Sequence, residues 1–125
     1  MNNLIIDTAG EKIFFIIIAN DKEYSITHDN SRENFDILVK LVFNFLEENN
    51  LHVSKIDNVF INQGPGKYTS IRSALSLAKA LKVSNKLDIY GYYKSQITNN
   101  NYNILVNLLK EGRLTKNFIQ PKYLN

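Results

Sequence analysis

The residues with the densest chemical potential lie in one stretch, Gln63-Gly64-Pro65-Gly66-Lys67-Tyr68-Thr69-Ser70. Two glycines flanking a proline let the backbone turn sharply and approach something closely. The turn directly precedes a predicted helix, whose N-terminus is a ready anion site. Lys67 adds a positive charge there, and Thr69 or Ser70 is placed to cap the helix. A purely structural tight turn is the alternative. The stretch is not a Walker A loop, because Gly66-Lys67 is followed by Tyr68 and Ile61 stands where the first glycine belongs. Asp7 closes an apolar run. A carboxylate at a strand end can hold a metal ion when others converge on it. The fourth predicted strand ends instead on uncharged Asn62 and Gln63, so Asp7 beside Thr8 also suits a turn or cap. Arg72 falls in the first turn of the helix, against its dipole, and calls for an acidic partner or a ligand. Tyr90, Tyr92 and Tyr93 suit base stacking or packing. His28 and His52 have no nucleophile near them in sequence and read as surface residues.

The elements that would position these groups follow from periodicity. Residues 3–8, 13–19 and 23–28 are short β-branched or alternating runs joined by tight turns, which forces an antiparallel meander. Ser31 and Asn34 have nearly the spacing of a capping box ahead of a helix over residues 33–50. On a helical wheel that segment carries an apolar arc of roughly 240°, far wider than the ~100° stripe that one sheet covers. A second layer or a partner protein must lie on it. A fourth strand over 55–62, a helix over 69–83, a fifth strand over 87–92, a polar loop and a helix over 102–111 follow. Gly112 is the stop signal of that last helix, and residues 117–125 read as extended. The order βββαβαβα implies an α/β fold, a mixed five-stranded sheet with helices on its faces.

Composition narrows the function class. A chain of 125 residues fits one domain, and without cysteine it has no disulfide scaffold, thiolate site or cysteine nucleophile. Its longest apolar runs are too short to span a bilayer, and no signal peptide is apparent, so a cytoplasmic protein with no membrane contact is expected. The charge is uneven: residues 1–66 hold five Lys/Arg against ten Asp/Glu, and residues 67–125 hold ten against two. That asymmetry marks a nucleic-acid face unless the two halves interleave in space.

Taken together the segments resemble the TsaB (YeaZ) family of the actin-like ATPase and glycoprotease superfamily. Leu4-Ile5-Ile6-Asp7-Thr8 looks like its opening strand. Gly64-Pro65-Gly66-Lys67-Tyr68-Thr69-Ser70-Ile71-Arg72 resembles its Gly-Pro-Gly-Ser-Phe-Thr-Gly-x-Arg signature. Arg32-Glu33 and Pro121-Lys122-Tyr123-Leu124 match further motifs. Lys67 for Ser, Ser70 and Ser73 for Gly, and Asn34 for His depart from the pattern. The resemblance implies a single actin-like (ribonuclease H-like) lobe over residues 1–93. Residues 94–125 would be a remnant of the second lobe, with a helix packing back on the first. It implies a non-catalytic subunit with no metal and no cofactor of its own, acting in threonylcarbamoyladenosine formation on tRNA. Its partner would be a TsaD-type catalytic subunit, joined by a TsaE-type ATPase, and alone the chain would form a homodimer through the same helices. The implied pairing residues are Phe35, Leu38, Leu41, Val42, Phe45, Ile71, Leu75 and Ala78, and the signature loop comprises Gly64, Pro65, Gly66, Lys67, Thr69 and Arg72. Asp7, Thr8 and Gly10 would be half of a nucleotide site whose other lobe is missing. The competing readings are a tRNA-binding module using the basic half and a nucleotide-binding protein.

Overall fold

The structure, a computed structural model, describes residues 1–117 and 121–124. Strands β1 (Asn2–Asp7), β2 (Lys12–Ala19) and β3 (Lys22–Asp29) form the expected antiparallel meander. The β2–β3 turn is two residues long, and Asn20 and Asp21 both take positive φ, 52° and 62°. That is the backbone of a type I′ hairpin turn, for which Asn and Asp are suited. Helices α1 (Arg32–Asp36) and α2 (Leu38–Glu48) follow, then β4 (Asn58–Asn62). After β4 come a two-residue strand β5 (Gly66–Lys67), helix α3 (Tyr68–Ser84) and strand β6 (Asp88–Tyr92). The chain closes with α4 (Asn103–Lys110), β7 (Thr115–Lys116) and β8 (Tyr123–Leu124).

The sheet runs β3-β2-β1-β4-β6-β7, with β1, β4 and β6 parallel. It carries a sixth, two-residue edge strand, β7, beyond the five expected from sequence. A separate parallel pair joins β5 to β8, so the signature loop and the Pro121–Leu124 segment meet through backbone. Residues 118–120 and 125 of the expected extended tail lie outside the described residues.

Alternation along the central strands builds two cores. Leu4 and Ile6 of β1, Phe15 and Ile17 of β2, and Val59 and Ile61 of β4 face α2 and α3. Ile5, Ile16, Ile18 and Phe60 point the other way, onto Tyr102, Leu105 and Leu108 of the α4 segment. Side chains two apart share a face of a pleated strand, so a continuous apolar run serves both layers. The α4 segment therefore covers the second face of the sheet.

The helix expected over residues 33–50 is broken. Its ladder is interrupted at Ile37, which caps α1 with φ −117° and ψ 24°, and Ile37 O then accepts from Leu41 N to open α2. Ser31 does cap α1, accepting from Asn34 N at 3.2 Å. The broad apolar arc divides between core and solvent. Leu38, Val42 and Phe45 are buried in the first core with Ala78 of α3, and Ile71 of α3 is fully buried beside the glycine loop. These five, expected at a partner surface, are packed within the lobe instead, because the sheet and the adjoining segment at Ile56 cover more of the arc than a wheel can show. Phe35, Leu41 and Leu75 are half-buried. The exposed apolar side chains of this face are Ile37 (44%), Val39 (55%) and Phe43 (40%).

Candidate functional site around Asp7 and the glycine loop

Parallel strands β1, β4 and β6 end side by side, and their carboxyl ends form the floor of a cleft of about 540 Å³. Open α/β sheets bind ligands outside these ends, where the chain reverses its direction of travel across the sheet. Asp7 from β1, Asn62 from β4, Tyr92 from β6 and Tyr102 ahead of α4 line it, with Lys12 and Lys94 nearby.

Asp7 is buried, and its carboxylate is already engaged. Oδ1 accepts from Asn62 Nδ2 at 3.1 Å and from Ala9 N at 3.3 Å. Oδ2 accepts from the Tyr92 hydroxyl at 3.1 Å and the Tyr102 hydroxyl at 2.9 Å. Asn62 in turn accepts from Gly64 N at 2.8 Å, so the network reaches the glycine loop. Burial, and then the Asp7 charge, push both tyrosine hydroxyls well above the usual phenol range. They remain protonated donors, which is what a buried carboxylate requires.

A metal–nucleotide complex, as an actin-like cleft would suggest, does not fit these residues. A divalent cation needs several free oxygen ligands. Both Asp7 oxygens are taken by protein donors, and β4 contributes an amide where a second carboxylate would stand. Among the described residues no three His, Asp, Glu or Cys side chains converge.

The glycine loop is held by close backbone approach. A side chain on Gly66 would lie 2.8 Å from Ala9 O and 2.9 Å from Ala9 Cα. Gly64, at φ 107°, abuts Lys122 O, and the Gly64–Pro65 peptide is cis. Thr8 Oγ1 donates to Ser70 O at 2.8 Å, tying the end of β1 to the start of α3. Lys122 N donates to Gln63 O at 2.7 Å and Lys94 N to Gly64 O at 3.0 Å. Gly10 meets no neighbouring atom where a Cβ would stand, so nothing crowds that turn.

The expected caps of α3 are not made. The helix begins at Tyr68 with Lys67 as its flanking residue and no side-chain cap, so Thr69 and Ser70 fall inside the first turn. Arg72 has an aromatic partner rather than an acidic one. Nη1 donates to the Tyr68 hydroxyl, and the guanidinium lies 5.5 Å from that ring's centroid. The Tyr68 ring packs against Tyr123 at 4.8 Å. His28 is not a plain surface residue: its ring lies 5.6 Å from Phe15, and Nε2 is buried without a hydrogen-bond partner among the described residues. His52 is exposed, as expected. Sequence reasoning missed Tyr102 as a donor to Asp7. Its place at the start of an apolar helix, after a polar loop, was the available signal.

Comparisons with known proteins converge on one fold. The family model described as TsaD, tRNA N6-adenosine threonylcarbamoyltransferase, matches residues 25–99, more than half of the chain. The tRNA threonylcarbamoyladenosine biosynthesis protein TsaB of Buchnera aphidicola subsp. Schizaphis graminum is 25% identical over 88 residues, 70% of this chain and 42% of that protein. A tRNA N6-adenosine threonylcarbamoyltransferase of Syntrophus aciditrophicus is 30% identical over 63 residues, 50% of this chain and 19% of that one. YeaZ from Pseudomonas aeruginosa superposes with a TM-score of 0.68 at 21% identity, covering 74% of this chain and 43% of YeaZ. T. thermophilus RuvC, in complex with a Holliday junction substrate, superposes at 0.54 with 14% identity, covering 77% and 66%. The chain thus spans less than half the length of the curated relatives it matches. No helix among the described residues is long and apolar enough to cross a membrane. The fold shared with YeaZ and RuvC and the family match agree, and the chain belongs to the family whose model is described as TsaD, tRNA N6-adenosine threonylcarbamoyltransferase, within which it is similar to TsaB.

Proposed function

We propose that the chain is a non-catalytic subunit in the formation of threonylcarbamoyladenosine on tRNA, pairing with a TsaD-type catalytic subunit and activating it. The observation that carries this reading is the exposed apolar stripe at Ile37, Val39 and Phe43 on the α1–α2 side of a family member. Val39 and Phe43 are four residues apart and lie on one helix face. Covering such a stripe removes apolar area from water at about 25 cal/mol per Å². The engaged state of Asp7 supports a subunit without nucleotide chemistry of its own. In the absence of the catalytic subunit, the same stripe pairs with a second copy, and a TsaE-type ATPase joins the assembled pair in the cytoplasm.

The test is co-elution of the chain with the TsaD-type subunit of the same organism, with affinity measured by titration calorimetry. Val39→Glu and Phe43→Glu place a charge in the buried centre and raise Kd at least about tenfold, or ~1.4 kcal/mol, each. Lys40→Glu, on the solvated side, leaves Kd within about twofold. A chain that neither co-elutes nor self-associates removes the reading's main support.

A further inference from the structure

We propose that the glycine loop and the Pro121–Tyr123 segment form a second interaction surface, which binds a single-stranded RNA segment by stacking one base on Tyr68 and Tyr123. The choice of RNA rests on the function proposed above; the surface itself does not. Tyr68 and Tyr123 are 47% and 37% exposed, with their ring centroids 4.8 Å apart and their planes tilted by 58°. Arg72 lies against Tyr68, donating to its hydroxyl, with the guanidinium 5.5 Å from the ring centroid. An exposed aromatic pair with a guanidinium beside it is the platform on which unpaired bases stack.

Among the described residues no carboxylate forms a direct ion pair with the cations around the platform. Both acidic residues after position 66 are taken by their own neighbours: Asp88 pairs with Lys82 at 3.6 Å and Lys116 at 3.4 Å, and Glu111 with Arg113 at 3.7 Å. The acidic first half keeps its ion pair, Lys12–Asp29, to itself. Among the described residues no ion pair crosses between the halves, so pairing does not mix the uneven charge of the sequence. Lys67, Arg72, Lys94 and Lys122 are exposed and lack a carboxylate partner among the described residues.

Backbone geometry gathers these four cations at one loop. Lys67 is in it and Arg72 is one turn beyond. Lys94 and Lys122 are hydrogen-bonded through their main chains to Gly64 and Gln63. Lys122 also lines a cleft of about 630 Å³ with Pro65, Tyr93, Ser95 and Pro121, within the size range of ligand pockets. Cations at such a rim meet phosphates, and the rings meet the base. An acidic peptide would use the cations and leave the aromatic platform idle.

The test is fluorescence anisotropy of the full chain with a short labelled single-stranded oligoribonucleotide across a salt series. The expected result is salt-dependent binding. Lys67→Gln and Lys122→Gln each lower the slope of log K against log salt by about 0.7. Tyr68→Ala weakens binding by about 5-fold to 150-fold, the range for one lost base stack, and Tyr68→Phe retains it. Equal binding of poly-glutamate, or loss of binding by Tyr68→Phe as severe as by Tyr68→Ala, overturns the base platform. So does the absence of any salt-dependent RNA binding. A chain that pairs with the catalytic subunit but fails here refutes this inference alone. One that binds RNA through these residues but never pairs refutes the pairing reading alone.

Discussion

Tyr102→Phe is the sharpest probe of the Asp7 network. The substitution removes a single oxygen from a buried ring and leaves the packing of α4 on the sheet unchanged. It deletes the 2.9 Å hydrogen bond to Oδ2, while Tyr92 still donates to that oxygen and Asn62 to the other. A hydrogen bond to a charged acceptor contributes about 1.5–3 kcal/mol, so a loss of ~2 kcal/mol is expected. With an unfolding entropy of about 2.1 cal/mol/K per residue over 125 residues, ~0.26 kcal/mol/K in total, Tm falls by about 8 °C. Adding Tyr92→Phe strips Oδ2 of both tyrosine donors inside the protein. The double variant therefore loses more than the sum of the single ones. Both tyrosine pKa values are raised in the folded state, chiefly by burial and then by Asp7. The unfolded chain ionises its tyrosines near pH 10 and the folded chain does not, so this contribution is intact below about pH 10 and declines above it. The decline is about 1.4 kcal/mol per pH unit for each tyrosine, and Tyr102→Phe makes it shallower. Thermal denaturation by circular dichroism at pH 7, with urea melts from pH 9 to 11, reads both effects. A Tyr102→Phe variant as stable as the wild type, with an unchanged alkaline slope, refutes the engaged-carboxylate account.

Two further substitutions test the fold around the site. Gly66→Ala drives a methyl group into the Ala9 backbone and is expected to cost about 2 kcal/mol, measured as a lowered urea midpoint with unchanged slope. Phe45→Glu buries an unpaired carboxylate in the first core and abolishes cooperative unfolding, whereas Phe43→Glu leaves Tm within about 2 °C because its ring is already 40% exposed.

Much of the fold was legible because its signals are local. The meander follows from alternation and from Asn20-Asp21, whose side chains tolerate the left-handed turn. The signature loop follows from Gly64-Pro65-Gly66. Burial on the wide helix was less legible. A wheel gives the angle of Phe45 or Val42 but not which neighbours reach it, and here the sheet and flanking segments cover them while leaving Val39 and Phe43 open. The break at Ile37 has no proline or glycine to announce it. At the site, Asp7 at a strand end was readable from its position. Its donors were not, since Tyr92 and Tyr102 lie 85 and 95 residues away and only strand order and the docking of α4 bring their hydroxyls to it. Arg72 was readable as a cation needing a partner, and the partner was the hydroxyl and ring of Tyr68, one turn before it.

We propose that this chain acts through a partner rather than by its own chemistry. The most direct measurement is mass-spectrometric quantification of threonylcarbamoyladenosine in tRNA modified by the TsaD-type subunit of the same organism. The reaction is run with the wild-type chain, with Val39→Glu/Phe43→Glu, and without the chain. The account predicts modification with the wild-type chain, none by the chain alone, and a return to the background level with the double variant. Full modification with the double variant, or by the chain alone, would contradict it.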